Sequence, residues 1–269
     1  NMNEQSIQKR YNQIVNLLED KRLKEALVQL DAFLYNGNDW SLRNRLEQIQ
    51  TSYQYMLQYM KLGMKDPERQ KLYRQLLADT WEIADQARLL QLDDISTRYY
   101  HDVRKKRTQD LAAYNTNVLM HILESFNDDL AVSGLLSDSN IDAVLKRHED
   151  TQKFMFLQTW SNSYWTTEDE ADAQGMLKSE LIPVNDLCLF TSAVMLSLME
   201  CFDLRKLMWL LDAYQHGNVY VSQRALIGIV FALHIHTHRL DLYPEIANRL
   251  KLLNEENSFD EDLVRIYRQ

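Results

Sequence analysis

Val184-Asn185-Asp186-Leu187-Cys188-Leu189-Phe190 opens a stretch of sequence that returns, in altered form, at Val221-Ser222-Gln223-Arg224-Ala225-Leu226-Ile227. The segment from Val184 to Asn218 overlays the segment from Val221 to Asn257 with an offset of 37, rising to 38 after one gap. Leu189 falls on Leu226, Ala193 on Val230, Leu196 on Leu233 and Leu198 on Ile235, and Asp203-Leu204 falls on Asp241-Leu242. Each copy reads as a longer, nearly all-apolar helix followed by a shorter amphipathic one. A period of this length built from two helices marks a stack in which each pair buries its apolar side against the next.

The residues from Val221 through Gly228 to Pro244-Glu245-Ile246 resemble a HEAT-type repeat. The likeness is clearest over residues 184–269 and extends to 138–183. Ala26-Leu27 followed by Leu30-Asp31-Ala32-Phe33 is similar to one tetratricopeptide-type hairpin. These resemblances imply an all-α fold of antiparallel hairpins stacked as a right-handed α-α superhelix, with a concave face that binds another protein. They bring no catalytic residue with them.

Outward from the repeat, the helix breakers carry the same message. The chain of 269 residues has three prolines and six glycines, where average usage would give roughly 19 glycines. Pro67, Pro183 and Pro244 each open an apolar stretch of helical period, and Gly37, Gly63, Gly134 and Gly217 each close one. Proline at helix starts and glycine at helix ends is the expected asymmetry. Only Gly175 and Gly228 fall inside helical stretches. Residues 5–20 and 22–36 predict a helical hairpin. Leu42, Leu46, Ile49, Tyr53, Met56 and Met60 then follow a 4-3-4-3-4 spacing, and Tyr73, Leu77, Thr80, Ala84 and Ala87 follow 4-3-4-3. With Asp66 as cap and Pro67 next, these seams predict two long antiparallel helices. Asp93-Asp94 reads as the opening of a further stretch, 93–130, that is either one helix or two with a kink near Thr108; Leu111 and Tyr114 carry its second half. Ser139 or Asn140 is expected to cap the helix that follows, and Thr166 the helix after residue 165. The small, polar run 131–140 divides an N-terminal long-helix region, 1–131, from C-terminal helical repeats, 138–269.

Composition narrows the partner. A formal net charge of -9 argues against nonspecific nucleic-acid binding or an anionic membrane surface, so the expected partner is another protein or a peptide, with no nucleic acid. The longest apolar stretch, Leu187 to Met199, is too short to span a bilayer. Cys188 and Cys201 both fall in apolar helical stretches, as buried free thiols of a reducing compartment would. No signal-peptide pattern appears at the start, and a cytoplasmic protein is expected. The last residues, Asp262 to Gln269, stop in mid-pattern, as a segment of a longer helical-repeat protein would.

Side chains that might carry chemistry are few. Phe156, Trp160 and Tyr164 recur every fourth residue beside Trp165. Such aromatics fill a core or anchor a partner. Trp160, Tyr164 and Trp165 are the expected partner-binding residues, with Arg104 and Arg107, from the run Arg104-Lys105-Lys106-Arg107, for an acidic partner. His234-Ile235-His236-Thr237-His238 places His234 and His238 one helical turn apart, an outside candidate for a metal; the acidic residue of a metallohydrolase motif is missing. His121 and Glu124 stand three apart as any helical pair does. No glycine-rich phosphate loop and no nucleophile elbow occurs. The sequence therefore predicts a non-enzymatic interaction scaffold without cofactor. A peptide- or small-ligand-sensing helical domain controlling an attached effector is the alternative, and a metal-dependent hydrolase a more distant one.

Overall fold

A computed structural model describes residues 3–35, 37, 39–63, 67–110, 115–256 and 258–269. Among these residues the protein is all-α, with no strand. The helices are α1 (Glu4–Glu19), α2 (Leu23–Tyr35), α3 (Trp40–Lys61), α4 (Glu68–Ile95), α5 (Tyr99–Gln109), α6 (Thr116–Gly134) and α7 (Asp138–Ser161). They continue with α8 (Thr167–Lys178), α9 (Val184–Glu200), α10 (Leu204–Tyr214), α11 (Val219–Ile235), α12 (Pro244–Glu256) and α13 (Phe259–Tyr267). A 3-10 segment, Thr237–Leu242, lies between α11 and α12.

Side-chain caps fix most of the helix starts. Asn3, Asp39, Asn115, Ser137, Thr166, Asp203 and Asn218 each accept a hydrogen bond from a first-turn amide. That satisfies donors the helix itself leaves open. Thr166 forms a full capping box with Asp169. Gly63, just past α3, has φ +72°, a conformation that favours glycine. The expected Asp66 cap lies outside the described residues.

Several boundaries differ from the sequence reading. Asp93 and Asp94 do not open a helix; they sit in the last turn of α4, where Asp93 receives His101 Nδ1 at 2.7 Å. The stretch 93–130 is interrupted: α5 ends at Gln109 and α6 starts at Thr116, while Leu111 and Tyr114 lie outside the described residues. Ser137, not Ser139 or Asn140, caps α7, and Asn140 is the residue whose amide it receives. The second copy of the C-terminal repeat also departs from the first. Asp203 caps α10, but its counterpart Asp241 falls in the 3-10 segment and pairs with Lys21 at 2.7 Å.

The chain forms two compact units, Asn1–Asp102 with His238–Ala247, and Val103–Thr237 with Asn248–Gln269. In the second, α7 packs on α6 and α9, and α9 packs on α7 and α11. There α10 packs on α8, α9 and α11. Gly228 in α11 explains how closely these helices approach. A Cβ there would meet Leu210 Cδ1 at 3.1 Å and Met195 Cβ at 3.2 Å, so glycine's cost in helix propensity is offset by packing.

In the first unit α1, α2 and α3 all pack on α4. From Leu76 onward α4 is buried on nearly every side, whereas its first two turns bury nothing. Within that core lies a carboxylate, Asp85. Arg239 Nη1 donates to it at 2.7 Å, and the Tyr11 hydroxyl donates to its other oxygen. The Arg239 guanidinium also stacks on Trp81, 4.7 Å from the ring centre, and Arg88 on Tyr11 at 4.9 Å. Both Asp85 and Arg239 are about 3% exposed. Removing one partner strands the other charge. Asp85→Ala is expected to cost about 3–5 kcal/mol, and Asp85→Leu combined with Arg239→Met to recover most of that loss. Urea denaturation of both variants followed by far-UV circular dichroism measures it.

Candidate functional site

The seam between α3 and α4 closes at one end and opens at the other. Leu42, Leu46, Ile49 and Met56 of α3 are buried, but Tyr53 and Leu57 are half-buried and Met60 is exposed. Opposite them α4 buries Leu77, leaves Tyr73 half-buried and exposes Gln70 and Arg74. Tyr73 is turned out of the seam, because its hydroxyl donates to the Lys21 carbonyl at 2.5 Å and accepts from Leu23 N at 3.4 Å. Lys21 has φ +60° at the α1–α2 turn, and the phenol braces it there. With Tyr73 held to the α1–α2 turn the two helices do not close at this level, and a cleft of about 570 Å³ remains.

Its floor is apolar, with Met56, Leu57, Met60 and Leu77, and its walls include both tyrosines. Burial, with Tyr73 and Glu25 nearby, pushes the Tyr53 phenol up. The rim is cationic. Arg69, Arg74 and Lys21 line it, and neither arginine makes an ion pair among the described residues. Residues 57–75 contain five basic side chains and two acidic ones in a chain whose net charge is -9. Tyr59, Leu62 and Leu72 lie exposed beside the cleft. The volume suits a ligand or a few anchoring side chains of a peptide. An apolar floor under guanidinium groups that make no ion pair among the described residues is chemically suited to carboxylates attached to hydrophobic groups.

The five residues expected to bind a partner lie elsewhere, and only Tyr164 is exposed. Trp165 is 3% exposed, packed against Phe190 and Trp209 with ring centres 6.5 and 6.3 Å away. It belongs to the core of the second unit. Trp160 is half-buried beside Phe156. Because α7 ends at Ser161, Tyr164 does not continue the face of Phe156 and Trp160; its hydroxyl accepts from Arg205 at 3.4 Å. Arg104 and Arg107 are half-buried, and Arg104 donates to the Ser161 carbonyl at 3.2 Å. The histidine run breaks in the same way. As α11 ends at Ile235, His234 and His238 are not successive positions on one helical face. His236 instead lies 2.6 Å from the Leu198 carbonyl through Nε2. Among the described residues no group of three or more His, Cys, Asp or Glu is placed to hold a metal. Both cysteines are free and buried, and burial raises the Cys188 thiol.

Sequence reading missed a buried lysine. Lys206 Nζ donates to Ser197 Oγ at 2.6 Å and to the Asn162 carbonyl. A serine hydroxyl held by an amine resembles a nucleophile with its base. Here both residues are fully buried, and the contacts tie α9 and α10 to the α7–α8 connection. Burial, opposed by Asp203, pushes the Lys206 ammonium down to about 8, and burial pushes the Asp203 carboxyl up to about 6.

No family model matches the chain, and no curated protein or solved structure is significantly similar to it.

The lysine makes a pH prediction with a definite sign. Its folded pKa lies below the ordinary 10.5, so between pH 8 and 10.5 the unfolded chain binds more protons and stability rises with pH. Wild type should therefore gain about 2 kcal/mol relative to Lys206→Met between about pH 7 and 9.5. Denaturant titrations of the two proteins at both pH values measure the difference; parallel curves would reject it. Trp165→Ala should cost about 3–5 kcal/mol in the same assay, as a core tryptophan does.

Proposed function

We propose that the chain is a non-enzymatic helical binding module, of the HEAT and tetratricopeptide kind, that captures an acidic protein segment through apolar anchors. The observation that carries this reading is the α3–α4 cleft: two arginines without ion-pair partners among the described residues stand over Met56, Leu57 and Leu77. Uncompensated positive charge is unusual in so acidic a chain, and it raises the encounter rate with an oppositely charged segment. The helical-repeat reading rests on the succession of packed pairs α6–α7, α7–α9 and α9–α11. A scaffold of that kind works by holding side chains in place across rigid helices. A cytoplasmic setting agrees with two buried cysteines that form no disulfide. No described helix is long and apolar enough to cross a membrane.

In this mechanism Arg69 and Arg74 attract and orient carboxylates, while a leucine- or aromatic-sized side chain enters between Tyr53 and Tyr73. The pre-formed walls lower the ordering cost of binding. Selection of a random peptide display library on the intact protein tests the proposal. Enriched peptides should place Asp or Glu within a few residues of Leu, Phe or Trp. The Arg69→Glu, Arg74→Glu double variant should bind them about tenfold or more weakly at physiological salt, with an unchanged melting temperature. Peptides with no acidic bias, or with equal affinity for the double variant, would overturn it.

A further inference from the structure

The second unit contains a pocket of different chemistry. Helices α6 and α7 pack against each other, and at one level Phe126 stacks on His148 with ring centres 3.7 Å apart and planes within 14°. The stack forms part of the wall of a cavity of about 240 Å³, which Ile122, Val132 and Val144 also line. Asp129 and Arg147 line the same cavity. Opposite charges sharing a small space normally pair. These two make no ion pair with each other or with any described residue, and Asp129 accepts only the Ser125 hydroxyl, at 3.0 Å.

The third polar group is held rigidly. His148 Nε2 lies 2.7 Å from Asp186 Oδ2, and Gln152 Nε2 donates to Asp186 Oδ1 at 2.6 Å. Asp186, in the first turn of α9, is buried. A neutral imidazole giving Nε2–H to that carboxylate would keep a lone pair on Nδ1, and Nδ1 has no hydrogen-bond partner among the described residues. Aspartate, histidine and a serine, Ser133, on one cavity suggest a hydrolytic triad. The helix rise excludes it: Ser133 is seven residues beyond Phe126, about 10 Å along α6 from the level of His148.

What remains is a pocket with one anion, one cation, an acceptor nitrogen and apolar walls, too small for a drug-sized molecule. We propose that it binds a free α-amino acid with a short apolar side chain. Arg147 takes the carboxylate, Asp129 and His148 Nδ1 take the ammonium, and Ile122, Val132 and Val144 take the side chain. Neither charge alone would explain why the acid and the base stay apart; a zwitterion satisfies both with charge-assisted hydrogen bonds, from the exposed Arg147 and to the half-buried Asp129.

Isothermal titration of the full chain with L-valine, L-leucine and L-methionine tests this. The comparison ligands are isoamylamine and isocaproate, which each lack one of leucine's charges. At least one amino acid should bind, about tenfold or more tightly than either comparison ligand. Arg147→Gln should bind leucine no better than isoamylamine, and Asp129→Asn no better than isocaproate. Both residues line an open cavity, so circular dichroism and melting temperature should stay at wild-type values. Absence of binding by all three amino acids at millimolar concentration would overturn the proposal. So would an amine or acid binding as tightly as leucine, or affinity unmoved by both substitutions.

Discussion

Asp85 and Arg239 meet 2.7 Å apart in the interior of the first unit, and that pairing sets the demands on the helix that carries the aspartate. An ion pair removed from water regains its desolvation cost only when its remaining donors and acceptors find partners in good geometry. α4 therefore needs neighbours on several sides at once. α1 supplies Tyr11, whose hydroxyl donates to Asp85; Trp81, on α4 itself, offers its ring face to the guanidinium; and residues 238–247 supply Arg239. The apolar residues from Leu76 to Leu92, distributed around the helix rather than along one stripe, keep this group dry. α4 is a hub because residues buried from Leu76 onward are spread around the helix, and the Asp85–Arg239 ion pair recruits a segment distant in sequence.

The second unit handles a buried charge differently. Among the described residues Lys206 has no carboxylate within ion-pair distance; oxygen atoms of Asn162 and Ser197 receive its ammonium, and Asp203 acts from the cap of the same helix. Around it Trp165, Phe190 and Trp209 pack edge-to-face or stacked, and the Trp209 indole donates to the Ala173 carbonyl at 2.8 Å. A lysine in that setting can give up its proton on alkalinisation where Arg239 cannot. The two units therefore respond differently to pH although both bury a cation.

Helical class and helix count in the first hundred residues were legible in the sequence because each depends on residues within one or two turns. Of the caps read from sequence Thr166 was met, while Ser137 took the place expected of Ser139 or Asn140. Leu42, Leu46 and Ile49 announce their burial through spacing alone, and Thr166 announces its cap through the acidic residues that follow. Helix ends were harder. Tyr164 fits the four-residue rhythm of Phe156 and Trp160, yet the helix stops at Ser161; nothing local distinguishes a rhythm that continues in structure from one that continues only in sequence. The same holds for His238 after Ile235. Buried polar groups were not legible at all. Asp85, Asp186 and Lys206 find partners 154, 38 and 44 residues away, and no periodicity encodes such a distance. The cleft was half visible: spacing located the seam, while its opening depends on Tyr73 bonding to the Lys21 carbonyl.

That opening follows from where burial ends along each helix. α4 buries no residue before Leu76, and α3 buries none after Met56, so the last turn of α3 and the first two turns of α4 extend past the unit's core. Helices that project in this way must either close on each other or present apolar surface to water. Tyr73, tied to a backbone carbonyl, is held out of the seam, and half-buried Tyr53 faces the same cleft, so the ridge does not fit its groove here. The basic residues at the same tip give this apolar surface a positive rim on a chain of net charge -9. On the function proposed above, a ligand that brings carboxylates and hydrophobic groups together would neutralise the rim and cover the floor in one event.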